Sequence, residues 1–185
     1  RGQVFRLPVA GGTVESVGAS GASYSDFSNT TFWNPVTHKY GTAFGYGYGA
    51  VRNWRWEFGT SDSDWVQIEA NTPGREPWTG DDRKAAIDFS GKRLFLYGGE
   101  GISTGSQGYY DPGFLPHGWF DALRDLWILN FQSNSWSKLI PANGSIPIYA
   151  EIVYYPPMDM LLMINGQAIT NGPYPQVTGL WTFSV

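Results

Sequence analysis

Two tryptophans nine residues apart, flanking a tight polar turn, recur along this chain, and that recurrence constrains its fold more than any other feature. The run Arg124 to Leu139 (RDLWILNFQSNSWSKL) carries Trp127 and Trp136. Asn53 to Ile68 (NWRWEFGTSDSDWVQI) carries Trp56 and Trp65 at the same spacing. Val4 to Val17 repeats the layout with Phe5 and Val14, and Gly179 to Val185 (GLWTFSV) holds the first position, Trp181, without a second. Self-similarity of this kind marks a repeat architecture, in which one supersecondary unit stacks on copies of itself.

A second feature keeps step with the first. Apolar segments end at Gly45, Gly99 and Gly166, spaced 54 and 67 residues apart, and a turn-forming segment begins ten residues before each, at Pro35, Phe89 and Pro156. The phases predict a four-strand cycle. Strand one covers about Thr30 to Trp33, Ala85 to Phe89 and Ala150 to Tyr155, and strand two ends at the glycines. Strand three carries the first tryptophan and strand four the second. The composition agrees: 17% aromatic residues suit strands, while 24 Gly and 12 Pro suit the many turns between them. Each unit is then a small twisted antiparallel sheet with two apolar faces, which only stacking can bury. The tryptophans are expected as wedges between sheets.

The apolar strand ending in Gly-Gly (KRLFLYGG, Lys92 to Gly99), the Asp125-Leu126-Trp127 run and the closing Trp136 resemble the kelch family. Two copies depart from the glycine pair, with Phe44-Gly45 and Asn165-Gly166. The resemblance spans nearly the whole chain. It implies an all-β fold of kelch-type β-propeller blades, each a four-stranded antiparallel sheet. Residues 1–18 would supply strands three and four of a first blade, 24–69 a second blade, 84–140 a third, and 147–185 strands one to three of a fourth. Propellers usually close with roughly 4 to 8 blades, so this chain forms an incomplete ring with two apolar blade faces open. Other blades would come from the same longer polypeptide or from other subunits, in a closed ring or an open filament.

Several function classes are excluded. The formal charge is -4 and the 12 Lys and Arg are scattered, which argues against nucleic acid and anionic membranes as partners. No apolar run approaches about 18 residues, so no membrane span is predicted, and RGQVFRLPV lacks the apolar core of a signal peptide. Without cysteine there is no disulfide and no thiolate nucleophile or ligand. No Ser-His-Asp order, phosphate loop or dinucleotide fingerprint is present, and GYGYG (Gly45 to Gly49) ends a strand with no helix behind it. Asp81-Asp82 and Asp121 with Asp125 lack spaced His or Cys partners, so no metal set is assigned, although backbone oxygens leave calcium open. No cofactor is implied. The family resemblance brings in galactose-oxidase-like copper enzymes and sugar-acid epimerases. The oxidase pattern needs a Cys joined to a Tyr and paired His ligands, which rules that activity out within this piece. An epimerase or hydrolase would need residues from further blades.

Function is expected in the long connections, which all fall on one face. The insertion Glu100 to Leu123 carries Tyr109, Tyr110, Asp111, His117, Trp119 and Phe120. Asn71 to Asp82 carries Trp78, and Ile169 to Val177 carries Tyr174. Aromatic platforms beside a few polar groups suit a sugar or a peptide; the same aromatics folded inward would instead form a mini-core. His117 lies between Pro and Gly in a turn-like context, His38 in a solvated turn, and Glu57, Asp62 and Asp64 read as turn and surface residues. Sequons at Asn29 and Asn143 favour an extracellular, secreted home over a cytoplasmic one. The resulting expectation is a non-catalytic binding or scaffold module for a protein or glycan. The alternatives are a structural subunit of an extracellular assembly and part of a propeller enzyme acting on a sugar.

Overall fold

Strands form where apolar and β-branched or aromatic residues alternate, and they stop where a residue must adopt positive φ. A computed structural model describes residues 5–6, 11–16, 30–43, 55–59, 65–71, 77, 80–81, 83–98, 100–101, 121–122, 125–139, 149–166 and 178–185. Sixteen strands run in chain order: β1 Phe5–Arg6, β2 Glu15–Ser16, β3 Thr30–Asn34, β4 Lys39–Ala43, β5 Arg55–Phe58, β6 Val66–Ile68, β7 Gly80–Asp81, β8 Lys84–Asp88, β9 Arg93–Tyr97, β10 Glu100–Gly101, β11 Asp121–Ala122, β12 Leu126–Asn130, β13 Ser135–Leu139, β14 Glu151–Tyr155, β15 Met160–Ile164 and β16 Leu180–Ser184. A single 3-10 turn, Pro156–Met158, joins β14 to β15, and no α-helix occurs among the described residues.

All pairings are antiparallel and nearly all join chain neighbours. Sheet I is β1-β2, sheet II is β3-β4-β5-β6, sheet III is β8-β9-β12-β13 and sheet IV is β14-β15-β16. A further small sheet has the order β11-β10-β7; two-residue strands give no period-2 signal, and the sequence did not foretell it. The second strands end at Ala43, Tyr97 and Ile164, each two residues before the expected glycine.

One hairpin design recurs four times. The closing pairs Asn34↔Lys39, Asp88↔Arg93, Asn130↔Ser135 and Tyr155↔Met160 each enclose four residues. The fourth of these always has positive φ: His38 at 55°, Lys92 at 53°, Asn134 at 52° and Asp159 at 48°. In three hairpins the residue before the turn is Asn or Asp, and its side-chain oxygen accepts turn N–H groups. Asn34 Oδ1 takes Val36 N at 2.9 Å, Asp88 Oδ1 takes Gly91 N at 2.8 Å, and Asn130 Oδ1 takes Gln132 N at 2.9 Å. The fourth has Tyr155 there, and Pro156-Pro157 pre-set the turn instead.

The exits of β9 and β15 also match. Gly98 (φ 59°) donates its N–H to Asp125 O at 3.1 Å, and Asn165 (φ 56°) donates to Gly179 O at 3.0 Å. Asn is the non-glycine residue that best tolerates this conformation, so Asn165 keeps the backbone geometry of Gly98.

Period-2 alternation gives sheet III two buried faces. Leu94, Leu96, Trp127, Leu129 and Trp136 point toward sheet II and meet Phe32 there. Phe95, Tyr97 and Leu126 point the other way and pack on Ile152, Leu161 and Met163 of sheet IV. Trp127 and Trp136 are thus wedges between sheets II and III. The Phe32 ring covers Gly41, where a Cβ would overlap it. β8 lies beside both β3 and β14, so the first strands of sheets II, III and IV stand side by side.

Phe95→Ala should lower the unfolding free energy by about 3–5 kcal/mol, the usual cost of emptying an aromatic core site, measured by urea denaturation. Asn165→Gly should stay within about 1 kcal/mol of the parent, because glycine accepts the same positive φ.

Candidate binding face

The four-residue turns all lie at one end of the sheets, and the long connections lie at the other. At the long-connection end the small sheet gathers three segments. Glu100 pairs with Ala122 and Gly101 with Asp121, so the insertion 102–120 leaves and returns on adjacent strands. The other edge of β10 pairs with β7, Glu100 with Asp81 and Gly101 with Gly80. The outgoing arm, β10, is therefore stitched on one side to the returning arm and on the other to the connection between β6 and β8.

A buried ion pair fixes the base of this stem. Arg83 Nη1 and Nη2 donate to the two Asp125 oxygens at 3.0 and 3.2 Å, and Trp127 Nε1 donates to Asp125 Oδ2 at 2.6 Å. Thr30 Oγ1 donates to Arg83 O at 2.9 Å and ties in sheet II. The fork-to-carboxylate geometry offsets the desolvation of both charges. The Arg83 side chain is sealed from solvent, and its Nε has no hydrogen-bond partner. The pair ties the start of β8 to the start of β12.

At the turn end two further networks join neighbouring sheets. Glu57, expected at the surface, is 1% exposed. Its carboxylate accepts Asn34 Nδ2 at 2.7 Å, Thr37 Oγ1 at 2.8 Å and Arg55 Nε at 3.0 Å. The expectation failed because Glu57 sits on β5 facing sheet III, where these partners satisfy its charge. Arg55 also donates to Asn134 Oδ1, and Asn134 Nδ2 donates to Glu69 O at 2.6 Å, clasping sheet II to the β12–β13 turn. Burial lowers the Arg55 pKa, and Glu57 opposes that shift.

Between sheets III and IV, Arg93 binds Asp88 at 2.8 Å through Nε and reaches across to Asp159 and the Tyr154 hydroxyl. Tyr154 Oη donates to Asp159 Oδ1 at 2.8 Å, and its ring stacks on Phe95 at 5.4 Å between centroids. Burial pushes the Asp88 carboxyl up, but Gly91 N–H, the Ser90 hydroxyl and Arg93 outweigh it and hold it below the usual range. Donation from Tyr154 and then Arg93 holds Asp159 low as well.

Tyr109, Tyr110, Asp111, His117, Trp119, Trp78, Tyr174, Asn29 and Asn143 lie outside the described residues, as do Asp62 and Asp64. Their expected platform is thus defined only by its stem. His38 stands exposed in its turn, 6.3 Å from Trp33 between ring centroids. No group of three or more His, Asp or Glu among the described residues is arranged to hold a metal ion. No described helix is long and apolar enough to cross a membrane. Sequence reasoning missed Arg83, Asp88, Arg93 and Asp159. The acid two residues before Trp127 and the Asp-x-x-Gly opening of the β8–β9 turn were the available signals.

No family model and no curated protein matches the chain. Among solved structures, that of YjhT is similar, with a TM-score of 0.52 and 16% sequence identity. The match covers 81% of this chain and 37% of YjhT. At that identity the likeness concerns the all-β fold alone.

Asp125→Ala should cost about 3–5 kcal/mol by leaving Arg83 buried without its counter-ion, read from denaturant midpoints. The Asp88–Arg93–Asp159 junction should weaken on acidification. Both carboxyls have folded pKa values below the unfolded value of about 3.9, so their contribution is present above that value and is lost as pH falls through the folded pKa. Asp88→Asn should flatten the acid limb of stability against pH, and an unchanged limb would refute the assignment.

Proposed function

We propose that this chain is a segment of a kelch-type β-propeller whose long-connection face binds a protein or glycan without catalysing a reaction. The carrying observation is the small sheet, which draws the two arms of the aromatic insertion and the β6–β8 connection onto one stem. The adjacency of β3, β8 and β14 supports a radial arrangement with first strands innermost. The alternating faces of sheet III support the same reading, since a blade must be apolar on both sides. Long loops held on rigid sheets are the usual seat of binding. In this reading the insertion would supply Tyr109, Tyr110 and Trp119 for stacking and Asp111 and His117 for polar contacts, and the other long connections would contribute Trp78 and Tyr174. The sequons at Asn29 and Asn143 support a secreted protein.

The test is binding to an immobilised panel of glycans and extracellular proteins, before and after Tyr110→Ala and Trp119→Ala. Both variants should lose the recognised ligand while the far-UV spectrum and melting temperature hold. Binding that survives both substitutions, or unfolding of both variants, would sink the loop assignment.

A further inference from the structure

The three strands of the small sheet reach sheet III through groups that all converge on Asp125. β7 ends at Asp81, just before Arg83, and the Arg83 fork is bound to the Asp125 carboxylate. β10 begins at Glu100, just after Gly98, and Gly98 donates its N–H to Asp125 O at 3.1 Å. β11 ends at Ala122, shortly before Asp125 itself. Trp127 Nε1 donates to the same carboxylate at 2.6 Å, which anchors Asp125 to a wedge between sheets II and III.

Sheet IV separates the parts of this hub. Lys84 and Leu126 both pair with Tyr97, and Glu151 and Leu180 both pair with Ile164. Ala150 and Gly179 therefore stand where sheet III has Arg83 and Asp125. The backbone bond is present there too, from Asn165 N–H to Gly179 O at 3.0 Å, but neither residue carries a charge, and Ala150 is fully buried. A sheet of this type is thus built with the backbone bond alone. The ion pair belongs to the sheet that bears β7, β10 and β11. Burying both charges is a poor source of stability, because an apolar pair of like volume is commonly as stable or more so. What the pair adds is direction, since a guanidinium fork on a carboxylate fixes both partners in one plane.

We propose that Asp125 is the positioning residue of the binding face. Its carboxylate and its carbonyl together hold the roots of β7, β10 and β11 against sheet III, and so set where the chain departs into the insertion and where it returns. Asp125 acts through Arg83 and Gly98 and is not itself a ligand contact. The role rests on the proposed function, which puts the ligand on that insertion, but its test is made on the stem alone.

The experiment is amide hydrogen exchange of the full chain, read by mass spectrometry over β7, β10 and β11 and, as the internal reference, over β9 and β12. The variant is Arg83→Met combined with Asp125→Leu, which removes both charges and leaves the bond from Gly98 N–H to the backbone at 125 in place. Its denaturation midpoint and the slow exchange of β9 and β12 should stay at the parental level, while β7, β10 and β11 lose protection by about tenfold or more. A purely structural pair would instead shift the midpoint and all five strands together, and that result overturns the proposal. Unchanged protection of the small sheet overturns it as well. If the apolar variant does not fold, Arg83→Gln combined with Asp125→Asn replaces it with the same expectation, because that neutral pair keeps an acceptor for Trp127. Selective loss of protection supports the role of Asp125 even where the glycan and protein panel yields no ligand, an outcome that counts against the loop reading alone.

Discussion

Leu94 and Phe95 are consecutive residues on β9, point to opposite sides of one sheet, and are both completely buried. The rest of the structure depends on that pair. A strand buried on both faces needs apolar cover from two directions, and a four-stranded sheet cannot supply it. Sheet II meets Leu94 through Phe32, and sheet IV meets Phe95 through Tyr154 and the Leu161–Met163 stretch. Burying each such side chain contributes about 1.5–3 kcal/mol, so the stacking of sheets is the main source of stability, and the hairpins mostly set register.

The polar networks do different work. Each pairs a residue at the rim of one sheet with a turn or strand start of the next: Arg55 with Asn134, Arg93 with Asp159, Thr30 with Arg83. Apolar faces alone would let neighbouring sheets slide. Directional bonds between the sheets fix the offset, at the cost of desolvating Glu57, Arg83 and Asp125. The two ends then diverge in use. Short turns close one end, while at the other the small sheet holds the two roots of the long insertion together.

Much of this was legible in the sequence because its signals are periodic. The Trp127–Trp136 spacing gave the β12–β13 hairpin, and the turn segments at Pro35, Phe89 and Pro156 gave the first two strands of three sheets to within a residue or two. What escaped was long-range. Glu57 carries the same letter whether solvated or buried, and only its meeting with Asn34, Thr37 and Arg55 makes it a core residue. The β7-β10-β11 sheet escaped because strands of two residues, including Gly80 and Gly101, have no alternation to read. The candidate ligand contacts were nominated by residue type alone, and no periodic signal orients them.

The four hairpins with a positive-φ fourth residue also bear on the order in which the chain acquires its structure. Each closes over a loop of four residues, so the first ladder contacts of sheets II, III and IV join segments close in sequence and pay little loop-closure entropy. The meeting of β8 with β3 and β14 joins segments much farther apart and must await completed sheets. Assembly from such a chain is modular: hairpins first, sheets next, sheet-on-sheet docking last. During synthesis sheet II is complete while Phe32 still faces solvent, and its cover arrives in two instalments, Leu94 and Leu96 first and Trp127 and Leu129 later.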